Sequence, residues 1–158
     1  MFRLSKKKEI EIFAPVKGEF VPIEDVNDPV FSSRMMGDGF AINPKNGAIT
    51  APIRGEIISV FPTNHAIGIA GDRGHEVLVH IGLDTVNLNG LGFDIHVAIG
   101  DIVEVGTLLV NADLTIIKEA GYDSVVITVI TNLDSSHLEF KALNVDVEEN
   151  ERIAVIKN

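Results

Sequence analysis

The chain has 158 residues, a formal net charge of -10, 46% hydrophobic residues and no cysteine. That length predicts one domain with a substantial core. The missing cysteines exclude disulfide staples and thiolate metal sites, and the acidity argues against binding nucleic acid through bulk charge. With no tryptophan, one tyrosine and eight phenylalanines, the core must be built mainly from Val, Ile and Leu, a composition that favours strands.

The first residues, M-F-R-L-S-K-K-K-E, are basic, but no apolar segment or cleavage motif follows them. No stretch reaches the roughly 18 apolar residues of a membrane span. The expectation is a cytoplasmic protein with no stable membrane insertion, a short flexible basic tail over residues 1–9 and a single domain over 10–158. Strand-like sequence begins at Glu9. A-P-V-K-G-E-F at residues 14–20 returns as A-P-I-R-G-E-I at residues 51–57, an internal repeat offset by 37 positions. In each copy a proline breaks the preceding strand and a glycine lets the next one bend, as at the corners of sandwiches and barrels.

Between the copies lies a turn-rich stretch with Pro29, Gly37 and Gly39, where short helical turns are expected. Taken alone, its Val30, Phe31, Met35 and Met36 read as core. Its Gly-Asp-Gly lacks the context of a phosphate-binding loop and reads as a bend. A strand is expected near residues 56–61, a loop-strand-loop over 83–93 and a glycine-bounded strand pair from Gly100. A helix is expected at 113–120, capped by Asp113 and stopped by Gly121. Further strands are expected at 124–131, 137–142 and 152–156. Many short strands, frequent turns and one or two short helices predict an all-β sandwich or barrel with an internally duplicated motif.

Residues 63–82, T-N-H-A-I-G-I-A-G-D-R-G-H-E-V-L-V-H-I-G, read as a β-hairpin. With Asp72 and Arg73 as a two-residue loop, opposite positions add up to 145. His65 then faces His80, Ile67 faces Leu78 and Ile69 faces Glu76, all on one face of the sheet. Thr63, two residues before His65, falls on that face and can orient a ring nitrogen. Two adjacent neutral imidazoles can bind a metal, or one can attack an electrophile while the other donates a hydrogen bond. A pair of half-buried histidines that face each other by accident is the third reading. His75, His96 and His137 read as surface residues. No H-E-x-x-H, H-x-H or G-x-S-x-G motif is present.

The motifs F-A-P-V-K-G-E-F, I-E-D-V-N-D-P-V-F, M-G-D-G-F-A-I-N-P, A-P-I-R-G-E-I, F-P-T-N-H-A, V-L-V-H-I-G-L-D-T-V, L-N-G-L-G-F and G-D-I-V-E-V-G follow one another through nearly the whole chain. Together they resemble the glucose-family IIA component of the bacterial phosphoenolpyruvate-dependent sugar phosphotransferase system. The resemblance implies an antiparallel β-sandwich that acts as a phosphocarrier. It implies that His80 is the phosphorylated residue and His65 its assistant, the latter held in one tautomer by Thr63. The donor would be the phosphohistidine protein HPr and the acceptor the IIB domain of a sugar permease.

The same resemblance makes Val30, Phe31, Met35, Met36, Phe61 and Leu78 an apolar partner face, with Asp28 and Asp84 as acidic neighbours of the histidines. It implies no required cofactor, a zinc ion on His65 and His80 only where a partner completes the site, and regulatory target proteins for the unphosphorylated form. Ile67 and Leu78 stand where the family often has aromatics, and the tail is short for the amphipathic helix that some members carry. Two alternatives share the β-architecture. A zinc-dependent hydrolase would need a third ligand. A binding module of the biotinyl-carrier kind would need a modifiable lysine at a hairpin tip, which is absent.

Overall fold

The computed structural model describes residues 9–141 and 144–158, so the expected tail, apart from Glu9, and Ala142 of the expected 137–142 strand lie outside the described residues. In chain order the elements are β1 (Ile10–Phe13), β2 (Gly18–Pro22), a 3-10 turn (Ile23–Asp25), α1 (Pro29–Ser32), β3 (Asp38–Pro44), β4 (Ala48–Thr50), β5 (Gly55–Val60), β6 (Ala66–Gly71) and β7 (Glu76–Ile81). A second 3-10 turn (Thr85–Leu88) follows, then β8 (Phe93–Ile95), β9 (Ile102–Val103), β10 (Leu108–Ala112), α2 (Leu114–Glu119), β11 (Val126–Ile130), β12 (His137–Phe140), β13 (Asp146–Val147) and β14 (Arg152–Lys157). The all-β expectation therefore holds. One eight-stranded antiparallel sheet, β13-β2-β3-β11-β7-β6-β5-β9, is accompanied by two three-stranded sheets, β1-β14-β12 and β4-β10-β8.

The duplication seen in the sequence is also a duplication in space. The hairpin of β2 and β3 and the hairpin of β5 and β6 flank the central pair β11 and β7, so the large sheet reads alike from either end. The two repeat copies exchange matching hydrogen bonds: Phe13 N–H donates to the Pro52 carbonyl at 2.9 Å and Thr50 N–H to the Pro15 carbonyl at 2.8 Å. Both donors and both acceptors are related by the 37-residue offset. Ala14 and Ala51 likewise accept from Asn150 and Gly106, two turn residues with positive φ.

The repeat glycines do something other than bend a strand. Gly18 and Gly55 open β2 and β5, where a Cβ would stand 2.0 Å from the Asn43 carbonyl oxygen and 2.1 Å from the Ala70 carbonyl oxygen. Neither has a positive φ, so glycine is required here for close backbone approach rather than for conformational freedom.

The central strands are buried on both faces. On β7, Val77, Val79 and Ile81 enter the main core with Phe40, Ile42, Val126 and Ile130. Leu78 points to a second apolar cluster made by Ala41, Ala66, Ile127 and Val129 with Ile23, Val26 and Phe31 from the β2–β3 crossover. That second cluster is the floor on which His80 sits. The 113–120 helix appears as α2, with Asp113 Oδ1 accepting from the Thr115 and Ile116 amides. The loop-strand-loop expected over 83–93 is corrected. Asp84 (φ +60) and Asn89 (φ +51) bracket a 3-10 turn whose Thr85 hydroxyl donates to the Ile81 carbonyl, and the strand begins only at Phe93.

Candidate functional site

His80 is carried by β7, at the centre of the large sheet, where it lies opposite Ile127 of β11 and Ala66 of β6. The hairpin register is shifted by one residue from the expectation. Ile67 pairs with Val79, Gly68 with Leu78, Ile69 with Val77 and Ala70 with Glu76. The cause is Gly74. At φ +89 it is a third loop residue after Asp72 and Arg73, and a three-residue hairpin loop closes with a glycine in the left-handed region. The Gly71 amide bonds to the His75 carbonyl, and the Gly74 amide to the Gly71 carbonyl. Ile67 consequently belongs to the main core and does not share the His80 face.

The two histidines nevertheless meet. His65 precedes the first residue of β6 and follows Asn64, whose φ of +61 breaks the regular alternation. The loop is tied by the Asn64 amide to the Phe61 carbonyl at 2.7 Å and the Phe61 amide to the Ala66 carbonyl at 3.0 Å. The imidazole centroids of His65 and His80 are 4.9 Å apart at 85°. Phe31 lies 4.9 Å from His80, and Phe61 lies 5.5 Å from His65 at 90°. His65 is only 4% exposed and His80 is half-buried.

Electrostatics favour neutral rings. Burial, with the neighbouring His65 as a second cause, lowers the His80 pKa to about 4, against smaller opposing effects of the Gly82 backbone and Asp28. Burial also lowers that of His65, opposed by the Thr63 backbone. Thr63 Oγ1 is 2.7 Å from His65 Nδ1. A hydroxyl that donates there leaves the ring proton on Nε2. His80 Nδ1 is shielded from solvent and, among the described residues, has no partner of good hydrogen-bond geometry, although the Gly82 backbone acts on the ring.

The pair opens into a recess of about 250 Å³ lined by Asp28, Val30, Phe31, Met36, Phe61, His65, Leu78, His80, Asp84, Thr85 and Val86. The recess thus gathers all the expected site residues except Thr63, which touches it through His65, and Met35. Their exposure divides the expected partner face. Val30 is 42% exposed, Met35 77% and Met36 37%, whereas Phe31 (5%) and Leu78 are buried in the second cluster. Phe31 and Leu78 are therefore pocket floor, not outward-facing contacts, because α1 turns the phenyl ring inward onto His80. Asp28 uses Oδ1 to cap α1 through the Val30 amide at 2.9 Å, which leaves its second oxygen for other contacts. Val86, exposed at the rim, is a lining residue that the sequence reading does not name, although it ends the motif V-L-V-H-I-G-L-D-T-V. Among the described residues no three His, Cys, Asp or Glu side chains converge as a metal site, so the two imidazoles supply at most half of a tetrahedral ligand set.

A family model for the phosphoenolpyruvate-dependent sugar phosphotransferase system, EIIA 1, matches residues 10–136. This chain belongs to that family. It is 50% identical over 142 residues to the PTS system glucose-specific EIIA component of Halalkalibacterium halodurans, covering 85% of this chain and 82% of that one. It is 42% identical over 160 aligned positions to the protein of the same name from Oceanobacillus iheyensis, covering 99% and 97%. Among solved structures, glucose permease IIA from Mycoplasma capricolum superposes with a TM-score of 0.81 at 36% identity, covering 94% of this chain and 96% of that one. The resemblance carried by the motifs thus stands. This EIIA chain is a phosphocarrier of the sugar phosphotransferase system, and no helix among its described residues is long and apolar enough to cross a membrane.

Proposed function

We propose that His80 accepts a phosphoryl group from the phosphohistidine of HPr and passes it to the IIB domain of a sugar permease, with His65 as hydrogen-bond donor to the phosphoryl oxygens. The observation that carries this reading is the edge-to-face pair of imidazoles, 4.9 Å apart, both with lowered pKa, in an apolar recess. A ring that stays neutral offers an attacking lone pair near pH 7. Phosphoryl transfer asks mainly for positioning and charge stabilisation around a loose, in-line transition state. Thr63, by donating to His65 Nδ1, would keep an N–H on Nε2 for the phosphoryl oxygens.

In the inward step the N–P bond of the donor breaks as an N–P bond forms on His80; in the outward step the N–P bond on His80 breaks as phosphorus bonds to the nucleophile of the acceptor. Neither step calls on a nucleotide or resident metal. The exposed Val30, Met35 and Met36 would seat both partners around the recess, with Asp28 and Asp84 meeting basic groups. Zinc on His65 and His80, regulation of other proteins and a cytoplasmic setting belong to the same proposal, the zinc needing donors from a partner. Nothing in the donor set favours the hydrolase alternative.

Incubation with phosphoenolpyruvate, enzyme I and HPr tests the assignment. Intact mass should show one added phosphoryl group, acid-labile and alkali-stable, and His80→Gln should take none while remaining folded. Phosphate retained by that variant, or found on Ser or Thr, overturns the assignment.

A further inference from the structure

Arg34 adopts φ +63, a backbone region that glycine or asparagine enters more easily than arginine. Its side chain supplies a reason for its presence. Nη2 donates to Glu24 Oε2 at 3.2 Å in the 3-10 turn after β2, and Nε donates to Asp38 Oδ1 at 3.0 Å at the start of β3. The Arg34 amide donates to the Phe31 carbonyl at the end of α1. One residue therefore joins the three pieces of the β2–β3 crossover, and the planar guanidinium suits two carboxylates held on different elements.

What lies beyond it matters for the recess. Met36, which lines the recess, and the more exposed Met35 beside it occupy the two positions between Arg34 and Gly37. Gly37 is fixed from the other side: at φ +135 its place for a Cβ is 2.2 Å from the Ile130 carbonyl oxygen of β11. The methionine loop is thus held at one end by the sheet and at the other by the Arg34 ion pairs. The same α1 carries Phe31 onto His80.

We infer that Arg34 is a positioning residue, locking the Met35–Met36 loop and α1 against the histidine recess and so setting affinity for the phosphoryl partners. The part concerning partners rests on the reading under Proposed function. Each ion pair is solvent-exposed and weak alone, so the expected effect is modest, a rise in KM for phospho-HPr of about three- to tenfold when both are lost.

The test uses the full chain as wild type, Arg34→Gly and Arg34→Lys. Glycine accepts the φ of this position, so it removes the guanidinium without adding backbone strain. Methyl NMR of Met35 and Met36 and the ring resonances of Phe31 and His80 report loop position without any phosphoryl transfer. Steady-state transfer from phospho-HPr reports KM and kcat separately. Expected are displaced or broadened Met36 and Phe31 resonances in Arg34→Gly, the stated rise in KM with kcat within about twofold, and partial restoration of both by lysine. Resonances that superpose on those of wild type overturn the inference, whatever happens to KM, since a KM change alone would make Arg34 a direct partner contact. An unchanged KM overturns its functional half, and a lysine variant as impaired as the glycine variant removes the ion-pair basis. A wild-type protein that takes no phosphate from phospho-HPr overturns the function instead, and the NMR comparison then decides the positioning role alone.

Discussion

The two halves of the duplicated sheet use equivalent strands but different crossovers. From β2 to β3 the chain makes a long excursion through a 3-10 turn and α1, bringing Asp28, Phe31 and the two methionines; from β5 to β6 it makes a short turn bringing Phe61, Thr63 and His65. Both excursions end over the central pair β7 and β11, where His80 lies. Repetition thus supplies the frame, and departure from repetition supplies the chemistry. The matching hydrogen bonds of the repeats accordingly occur at 13–15 and 50–52, whereas the recess takes its walls from the two unequal crossovers.

Phe31, buried against His80, anchors the long crossover. Truncation of a buried phenylalanine costs about 3 to 5 kcal/mol, so Phe31→Ala should lower the melting temperature strongly and remove the ring that packs on His80. Met35→Asp, at a position largely exposed, should leave the melting temperature nearly unchanged and weaken transfer from phospho-HPr. A stable Phe31→Ala protein would show that α1 is an ornament on the frame rather than the second wall of the recess.

The short crossover is tested by His65→Gln. His80 should still be phosphorylated, but outward transfer to IIB should slow. Loss of one preorganised donor costs about 2.7 to 4 kcal/mol, or on the order of a hundred to a thousandfold, and the glutamine amide can recover part of it. A single-turnover chase with unphosphorylated IIB and sugar compares variant with wild type. Equal outward rates would reduce His65 to a spacer.

The frame itself is sharpened by Gly18→Ala and Gly55→Ala. A methyl group at either site meets a backbone carbonyl of the neighbouring strand, so each should cost at or above the upper end of the roughly 1 to 3 kcal/mol typical of overpacking, and the two should cost similar amounts. Chemical denaturation measures both. A large inequality between them would mean that the halves resemble each other in sequence but are not under the same packing constraint.

These same residues show how far the amino-acid sequence alone discloses the fold and the site. The repeat, the strand-rich class and the cap at Asp113 were legible because alternation and capping are local, whereas the nearness of His65 to His80, though expected, was argued through a register that the hairpin does not keep. The register itself was not legible. Gly71-Asp72-Arg73-Gly74 admits a two- or a three-residue loop, and only the positive φ of Gly74 decides between them, moving Ile67 into the other core. His65 reaches His80 because Asn64 interrupts the alternation on which the expected pairing relied. The inward turn of Phe31 was equally hidden. A four-residue helix has too short a pattern to reveal which side chain it buries, and the second cluster that receives the ring comes from strands far away in sequence.

The smallest expected effect is on pH dependence, and it asks whether the recess holds its histidines neutral. An unfolded histidine titrates near 6.5, whereas His80 in the folded chain titrates near 4, with burial as the main cause. Between those values the unfolded chain binds the proton that the folded chain refuses, so stability is complete above pH 6.5 and falls as the pH drops toward 4. At pH 5.5, one unit below the unfolded value, the loss from this group is about 1.4 kcal/mol. His65, also lowered by burial, acts in the same direction. Thermal unfolding of wild type and His80→Gln between pH 7.5 and 4.5, with a chelator present, isolates the contribution. Surface carboxylates such as Glu9, which pairs with Lys157, are common to both proteins and cancel in the difference. The wild-type melting temperature should fall more steeply below pH 6.5 than that of the variant. Parallel curves would mean that His80 protonates as readily folded as unfolded, and the recess would then lack the property that keeps its nucleophile ready for a phosphoryl group.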